Sequence, residues 1–249
     1  MIVKDIPLRE RIIFALDVDN AADALKFVDI LGGTIGYYKV GLQLFLAEGF
    51  ALLDRIRERG ERRGCVHKIM LDLKFLDIPQ TTGMAMREAA RHGVDMATIH
   101  AHVSSVAQAA VAEAGNTKVL GVTVMTSYGE TELAELGYPG SIADLVEDRA
   151  GIALAAGCGG IVASAREATM LRRVYGDDFV IVTPGIRMSN IGGHLGHDDQ
   201  TRVMTPARAM AAGADHLVVG RPISRAGRPV EMAERMLREV AETLEGMSG

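Results

Sequence analysis

Short apolar segments alternate with longer amphipathic segments along almost the whole chain. Eight of the apolar segments have the length of β-strands: residues 12–18, 37–43, 67–73, 96–101, 119–125, 160–163, 179–183 and 216–220. Nearly all of their residues are apolar, which is typical of parallel strands covered on both faces. The segments between them repeat apolar residues at helical spacing, and a long helical pattern, PVEMAERMLREVAETLEG, follows the last strand.

Eight strand–helix units in a chain of 249 residues are the repeat of a TIM barrel, the closed (β/α)8 fold of the α/β class. Glycines end many of the helical patterns, and the turns GVD at 93–95 and GAD at 213–215 lead from helix to strand in the same way. No proline- or serine-rich linker divides the chain, so we predict a single domain over residues 1–249. An open, doubly wound sheet is the alternative, and eight evenly spaced parallel strands would be unusual for it.

Composition and charge exclude several classes of protein. Hydrophobic residues make up 48% of the chain and charged residues 24%, as in ordinary globular proteins. The net charge is −5 and the basic residues are scattered, which argues against a nucleic-acid partner. No uncharged apolar run approaches the roughly 20 residues that cross a bilayer, and the first residues show no signal peptide. Cys65 and Cys158 form no C-x-x-C pair, which favours a reducing compartment, and we therefore expect a cytoplasmic enzyme.

Charged residues stand where the first three strands end. Asp17 follows the first strand, Lys39 lies in the second, and Asp72 and Lys74 lie at the end of the third. In a TIM barrel these ends meet at one mouth and carry the functional groups. Because Asp72 and Lys74 are two residues apart on a strand, we expect them on the same face, about 6–7 Å apart. Such a network could hold a lysine ammonium beside a reacting carbon.

Two other interpretations of this cluster compete with catalysis. A structural ring of ion pairs is one, but burying several charges costs several kcal/mol per ion, and four groups are more than packing needs. A metal site is the other, but each carboxylate has a lysine neighbour, so we favour a site without metal. His194 and His197 have H-x-x-H spacing without a third ligand nearby, which indicates a solvated loop. We expect His100 to be a hydrogen-bonded core histidine.

A second group of residues points to a phosphate. The seventh strand leads into Pro184, and a long stretch without periodicity follows up to Gln200, which is typical of a lid. The eighth strand leads into Gly220 and Arg221, where barrels often bind phosphate. Arg221 can grip a phosphate with its planar fork, although a surface salt bridge is an alternative role. We expect this group to lie across the mouth from the charged cluster, so the ligand would be a nucleotide or a phosphorylated sugar.

The segment D-x-K-x-x-D-I-P at 72–79 resembles the signature of the orotidine 5'-monophosphate decarboxylase family. Further segments match in order and spacing over nearly the whole chain: ALD at Asp17, YKVG at Lys39, VTVMTS at Thr126, TPGIR at Pro184, DQ at Gln200 and VGRPI at Arg221. Each match is weak alone, and their order makes the resemblance specific. Leu76 departs from the pattern, because many relatives carry His there.

The resemblance implies a homodimeric TIM barrel that converts orotidine monophosphate to uridine monophosphate and CO2, the last step of de novo pyrimidine nucleotide synthesis, without cofactor or metal. It implies a catalytic tetrad in which Lys74 protonates the carbanion at ring carbon six: Lys39, Asp72, Lys74 and Asp77. The substrate would be bound by Asp17, Lys39, Ile78, Thr81, Thr126, Pro184, Gln200, Gly220 and Arg221.

Within that set the resemblance implies separate tasks. Asp17 and Lys39 would contact the ribose hydroxyls, as would Asp77 and Thr81. Asp77, Ile78 and Thr81 would reach into the partner subunit's site. Thr126 would contact the pyrimidine edge and Pro184 would line the pocket. Gln200, Gly220 and Arg221 would hold the phosphate.

Two alternatives stay open. A keto-sugar-phosphate decarboxylase or a hexulose-phosphate synthase of the same superfamily would use magnesium and carry an acidic residue near the place of Lys39, so Lys39 argues against both. A non-catalytic barrel that binds nucleotides would have no need of Lys74.

Overall fold

The computed structural model describes residues 2–188 and 204–248, which fold into a closed barrel of eight parallel strands. The strands are β1 (Ile12–Ala15), β2 (Tyr37–Gly41), β3 (Lys68–Phe75), β4 (Met96–His100), β5 (Lys118–Val122), β6 (Gly160–Val162), β7 (Val180–Thr183) and β8 (His216–Val219). Each strand pairs with the next along the chain, and β1 pairs with β8 to close the barrel. The predicted TIM barrel is confirmed, and all eight strands overlap their predicted segments.

Helices alternate with the strands and cover the barrel. They are α1 (Leu8–Arg11), α2 (Ala21–Leu31), α3 (Leu42–Glu61), α4 (Pro79–Arg91), α5 (Ser104–Glu113), α6 (Glu130–Glu135), α7 (Ile142–Ala155), α8 (Ala165–Tyr175), α9 (Pro206–Ala211), α10 (Arg221–Ser224) and α11 (Pro229–Ser248). The short helices α1, α6 and α10 were not predicted, because one or two turns are too short to show a period. Among the described residues, no helix has the length and apolar character that a membrane span requires.

Local sequence explains where several of these helices begin. Asn20 caps α2, since its side chain accepts a hydrogen bond from the backbone N–H of Asp23 at 3.0 Å. Ser141 and Asp144 form a reciprocal capping box at the start of α7. Such caps satisfy N–H groups that have no acceptor inside the helix, so they fix where each helix leaves its loop.

The junction of β2 and α3 differs from the sequence expectation. The apolar run to residue 43 predicted a strand of that length, but β2 ends at Gly41 and α3 begins at Leu42. The helix contains a kink at Gly49, whose φ of 62° suits a residue without Cβ. The apolar residues after Gly41 therefore belong to the helix, and the strand stops just beyond Lys39.

The inside of the barrel changes character along its axis. Seven buried apolar side chains pack against each other as one cluster inside it: Ile13, Tyr37, Met70, Met96, Leu120, Val180 and Val182. Because alternate residues of a strand face the same way, the inward positions further along the strands belong to residues such as Ala15, Lys39, Asp72 and Thr98. The barrel thus presents an apolar floor below a polar mouth at the C-terminal ends of β1 to β4.

Candidate active site

Asp17, Lys39, Asp72 and Lys74 form one continuous chain of opposite charges at the barrel mouth. Lys39 Nζ donates a hydrogen bond to Asp17 Oδ1 at 3.0 Å and lies 3.6 Å from Asp72 Oδ2. Lys74 Nζ donates to the other oxygen of the same carboxylate, Asp72 Oδ1, at 2.8 Å. The structure therefore brings together the four side chains that the strand-end pattern singled out, in alternating order of charge.

Asp72 is the centre of this network. Its side chain is 15% exposed, against 28% for Lys74. Burial raises the pKa of Asp72, but the charges of Lys39 and Lys74 and hydrogen bonds from Lys74 and Thr98 lower it by more, so its pKa lies below the ordinary value. The carboxylate is thus ionised at neutral pH and holds the ammonium of Lys74 where a ligand in the mouth can reach it.

The backbone at Lys74 is not the regular strand that the sequence predicted. Leu71 pairs with Ala97 and Phe75 pairs with Ile99, so β3 advances by four residues over a stretch in which β4 advances by two. Lys74 has φ of 51°, and among the described residues it is the only one other than glycine with positive φ. A residue other than glycine in the left-handed backbone conformation costs about 1–3 kcal/mol of conformational free energy. Such residues cluster at functional sites. The bulge therefore reorients the lysine relative to a flat strand.

Two residues that the sequence analysis did not single out shape the network. A Cβ added to Gly41 would lie 3.3 Å from Lys39 Nζ and 3.8 Å from Asp17 Oδ1, so glycine leaves room for the ion pair. Thr98 of β4 is fully buried and donates a hydrogen bond to Asp72 Oδ1 at 3.0 Å. Two features of the sequence could have pointed to these residues: the glycine of the YKVG segment, and the inward-facing position of Thr98 in β4.

Asp77 does not join the other three members of the predicted tetrad within one chain. It is exposed, its Oδ1 accepts a hydrogen bond from the backbone N–H of Ile78 at 2.6 Å, and its own N–H donates to Thr82 Oγ1 at 3.2 Å. Ile78 is 63% exposed and Thr81 is half-buried at the start of α4. Among the described residues, none of these three makes a hydrogen bond or an ion pair with the charged cluster at the mouth.

Gly220 joins the predicted phosphate end to the charged cluster. A Cβ at Gly220 would meet Ala15 Cβ at 3.3 Å and Asp17 Oδ2 at 3.4 Å, because β8 is the neighbour of β1. The two groups therefore adjoin at this point, and the expectation that they lie across the mouth from each other is wrong for Gly220 and Asp17. Arg221 follows as the half-buried first residue of α10.

The other predicted ligand contacts fall on two further strand ends. Pro184 is half-buried directly after β7, and Thr126 is half-buried in the connection after β5. Beyond Pro184, the backbone of Ile186 bridges to Met204, which brings the two described ends of this connection together at the mouth. Gln200 lies outside the described residues, as do His194 and His197.

His100 at the end of β4 is not the hydrogen-bonded core histidine that we expected. Its Nδ1 is buried and has no hydrogen-bond partner among the described residues, and its ring lies 4.8 Å from that of His102. Burial lowers the pKa of His100, and the nearby charges of Lys74 and Arg149 lower it further. The described part of the chain contains no group of three His, Cys, Asp or Glu side chains able to hold a metal ion.

One known protein family matches this chain over most of its length. Residues 10–236 match the model of the "Orotidine 5'-phosphate decarboxylase / HUMPS family". The chain belongs to this family. An orotidine 5'-phosphate decarboxylase of Rhodopseudomonas palustris is 43% identical over 236 residues, covering 94% of this chain and 96% of that protein. One of Heliobacterium modesticaldum is 43% identical over 247 residues, covering 95% and 98%.

Solved structures give the same result. The crystal structure of orotidine 5'-phosphate decarboxylase from Lactobacillus acidophilus superposes with a TM-score of 0.80 at 31% identity, over 93% of this chain and 99% of that one. The resemblance drawn from the motifs is confirmed, and so is the assignment of the chain as an enzyme, a carbon–carbon lyase. The description of the family spans two kinds of enzyme, whereas the named relatives are all decarboxylases.

Proposed function

We propose that this chain decarboxylates orotidine 5'-monophosphate to uridine 5'-monophosphate without a cofactor, and that Lys74 supplies the proton. The names of relatives about 40% identical over nearly the full length support the reaction. The observation that carries the proposed mechanism is the 2.8 Å hydrogen bond between Lys74 Nζ and Asp72 Oδ1 at the barrel mouth. This hydrogen bond supports a mechanism in which the Lys74 ammonium is already oriented before the substrate binds.

The proposed step breaks the bond between ring carbon six and the carboxylate. CO2 leaves, and the bonding electron pair stays on carbon six. The positive charge of Lys74 stabilises that pair as it forms, and a proton then moves from Nζ to carbon six. The neutral lysine takes a proton back from water, so one proton is consumed for each CO2 released. An oriented charge needs little rearrangement in the transition state, which is the usual source of such stabilisation.

The residues near β1 and β8 suit the rest of the nucleotide. Asp17 and Lys39 would take the ribose hydroxyls, since the exposed Asp17 carboxylate lies at the edge of the cluster and the Lys39 ammonium is bonded to it at 3.0 Å. Gly220 and Arg221 would bind the phosphate beside them. Binding this remote group can contribute to the chemical step at carbon six. Thr126 and Pro184 would contact the base and line the pocket, and Gln200 remains a predicted phosphate ligand.

We further propose a homodimer with shared sites. Six of the twelve large apolar side chains that are exposed in the described residues belong to the connections and helices that follow β2, β3 and β4: Leu42, Leu46, Leu76, Ile78, Met84 and Val103. Because β2, β3 and β4 are neighbouring strands, these side chains belong to adjacent segments, and exposed apolar side chains grouped in this way support an interface. A second copy is the proposed occupant, because the exposed Asp77 carboxylate and Thr81 belong to the same short segment as the exposed Leu76 and Ile78. They would complete the partner's site.

A subunit-mixing experiment tests the shared site. Neither Lys74→Ala nor Asp77→Ala homodimers would be active, but a mixed dimer has one site in which both residues are intact. Random exchange should therefore restore about one quarter of the wild-type activity per subunit. No recovery after proven exchange would assign Asp77 to the site of its own subunit.

The magnesium-dependent branch of the family is the second candidate. Lys39 Nζ lies between Asp17 and Asp72, at 3.0 and 3.6 Å from their oxygens, where a cation shared by the two carboxylates would bind. That position favours the nucleotide reaction.

The two cysteines, Cys65 and Cys158, are free thiols, which supports a reducing and hence cytoplasmic location.

An ultraviolet assay of orotidine monophosphate consumption tests the proposed function directly. The protein is purified, treated with a chelator and assayed with and without added magnesium. We expect turnover that magnesium does not change. Absence of turnover, together with magnesium-dependent conversion of a keto-sugar phosphate, would transfer the chain to the other branch.

A further inference from the structure

The hydroxyl of Thr98 connects two parts of the same lysine. Thr98 Oγ1 accepts a hydrogen bond from the backbone N–H of Lys74 at 2.9 Å and donates one to Asp72 Oδ1 at 3.0 Å. Asp72 Oδ1 in turn accepts from Lys74 Nζ at 2.8 Å. The three residues thus form a closed ring that runs from the main chain of Lys74, through Thr98 and Asp72, to the side-chain ammonium of Lys74.

This ring lies where the ladder between β3 and β4 is interrupted. The pairing shifts between Leu71 and Phe75, so Lys74 lies within the bulge rather than in the regular register. Its backbone N–H is nevertheless satisfied, because the side chain of Thr98 takes the place of a backbone acceptor. The unusual φ of 51° at Lys74 therefore depends on a contact with β4.

We infer that Thr98 is a positioning residue, which fixes both the backbone conformation of Lys74 and the carboxylate that orients its ammonium. Thr98 is fully buried, so it acts through these neighbours and not by touching the substrate. A hydroxyl can donate and accept at once, and both of the bonds that Thr98 makes use this property. The inference deepens the proposed function and rests on it, because the ring of hydrogen bonds sets the direction from which the Lys74 ammonium approaches carbon six of the substrate.

Thr98→Val and Thr98→Ser separate this role from simple packing. Valine keeps the shape and loses both hydrogen bonds, whereas serine keeps the hydroxyl. We expect Thr98→Val to lower kcat for orotidine monophosphate about 10- to 100-fold with KM within about threefold, the effect of losing a hydrogen bond to a charged group. Thr98→Ser should stay within about threefold of the wild-type kcat. A kcat for Thr98→Val within twofold of wild type, or equal losses in both variants, would overturn the inference.

Thr117→Val is the matched control. Thr117 is also buried in the barrel and donates from Oγ1 to the Val94 carbonyl at 2.7 Å, but it precedes β5 at the opposite end from the mouth. We expect Thr117→Val to lower the unfolding temperature without changing kcat. If Thr117→Val lowered kcat as much as Thr98→Val, a general loss of rigidity would explain both, and the positioning role would fail.

Crystal structures of the two Thr98 variants give a readout that does not depend on activity. In Thr98→Val we expect the Lys74 Nζ to Asp72 Oδ1 distance to exceed the hydrogen-bond range or to split between conformers, with 2.8 Å retained in Thr98→Ser. An unchanged Lys74 in Thr98→Val would overturn the inference whatever reaction the enzyme catalyses. Inactivity of the wild-type protein towards orotidine monophosphate would instead count against the proposed function alone.

Discussion

The coupling between Asp72 and Lys74 can be measured as a free energy. Their atoms lie 2.8 Å apart, and a bare interaction at that distance amounts to about 6 kcal/mol at an effective dielectric constant near 20. Desolvation of an almost buried carboxylate offsets several kcal/mol of this. A hydrogen bond to a charged group retains about 1.5–3 kcal/mol net. We therefore predict a coupling of about 2 kcal/mol in the free energy of unfolding at pH 7.

The assay is a double-mutant cycle of Asp72→Asn and Lys74→Met, with urea unfolding followed at one protein concentration. The exposed pair Arg91–Glu88, 3.1 Å apart with side chains 70% and 49% exposed, is the matched control. Exposed helix pairs couple by about 0.3–0.5 kcal/mol, so the control cycle should give no more than that. A coupling below about 0.5 kcal/mol for Asp72 and Lys74 would refute an ammonium held firmly by this carboxylate.

Two further predictions follow from the same residues. Because the pKa of Asp72 is below the ordinary 3.8, its ion pairs stabilise the fold fully above that pH, and this contribution is lost as the pH falls through the lowered pKa. Urea unfolding of wild type and Asp72→Asn should therefore converge only below about pH 4, and convergence near pH 6 would contradict the assignment. Gly220→Ala would press a methyl group against Ala15 and Asp17, at 3.3 and 3.4 Å, and should lower kcat/KM about fivefold, measured by steady-state decarboxylation. An unchanged kcat/KM would show that the phosphate end and Asp17 are not coupled.

The barrel could be predicted from the sequence because its strands and helices carry different periods. Buried parallel strands such as β1 are short and apolar throughout, whereas α11 repeats apolar residues every three or four positions. The rule that function collects at the C-terminal strand ends then selected Asp17, Lys39, Asp72 and Lys74.

The details of the site could not be predicted in this way. A strand pattern has period two and contains no sign of the extra residues that lift Lys74 out of the ladder with β4. The hydroxyl of Thr98 looks like any inward polar residue until its two partners are known. Asp77 belongs to the motif by spacing, yet its position depends on a loop and, in our proposal, on a second subunit. These features arise from contacts between strands, which no local pattern records.

The proton donor is the central claim, and turnover by Lys74→Ala tests it most directly. General acid catalysis contributes about 10²- to 10⁴-fold, and one oriented charge about 10²- to 10³-fold, so we predict a loss of at least about 10⁴-fold in kcat. The variant should stay folded, with the oligomeric state and the affinity for uridine monophosphate close to those of wild type, while its unfolding midpoint falls because the ion pair with Asp72 is lost. A Lys74→Ala enzyme that decarboxylates orotidine monophosphate within tenfold of the wild-type rate would contradict the account.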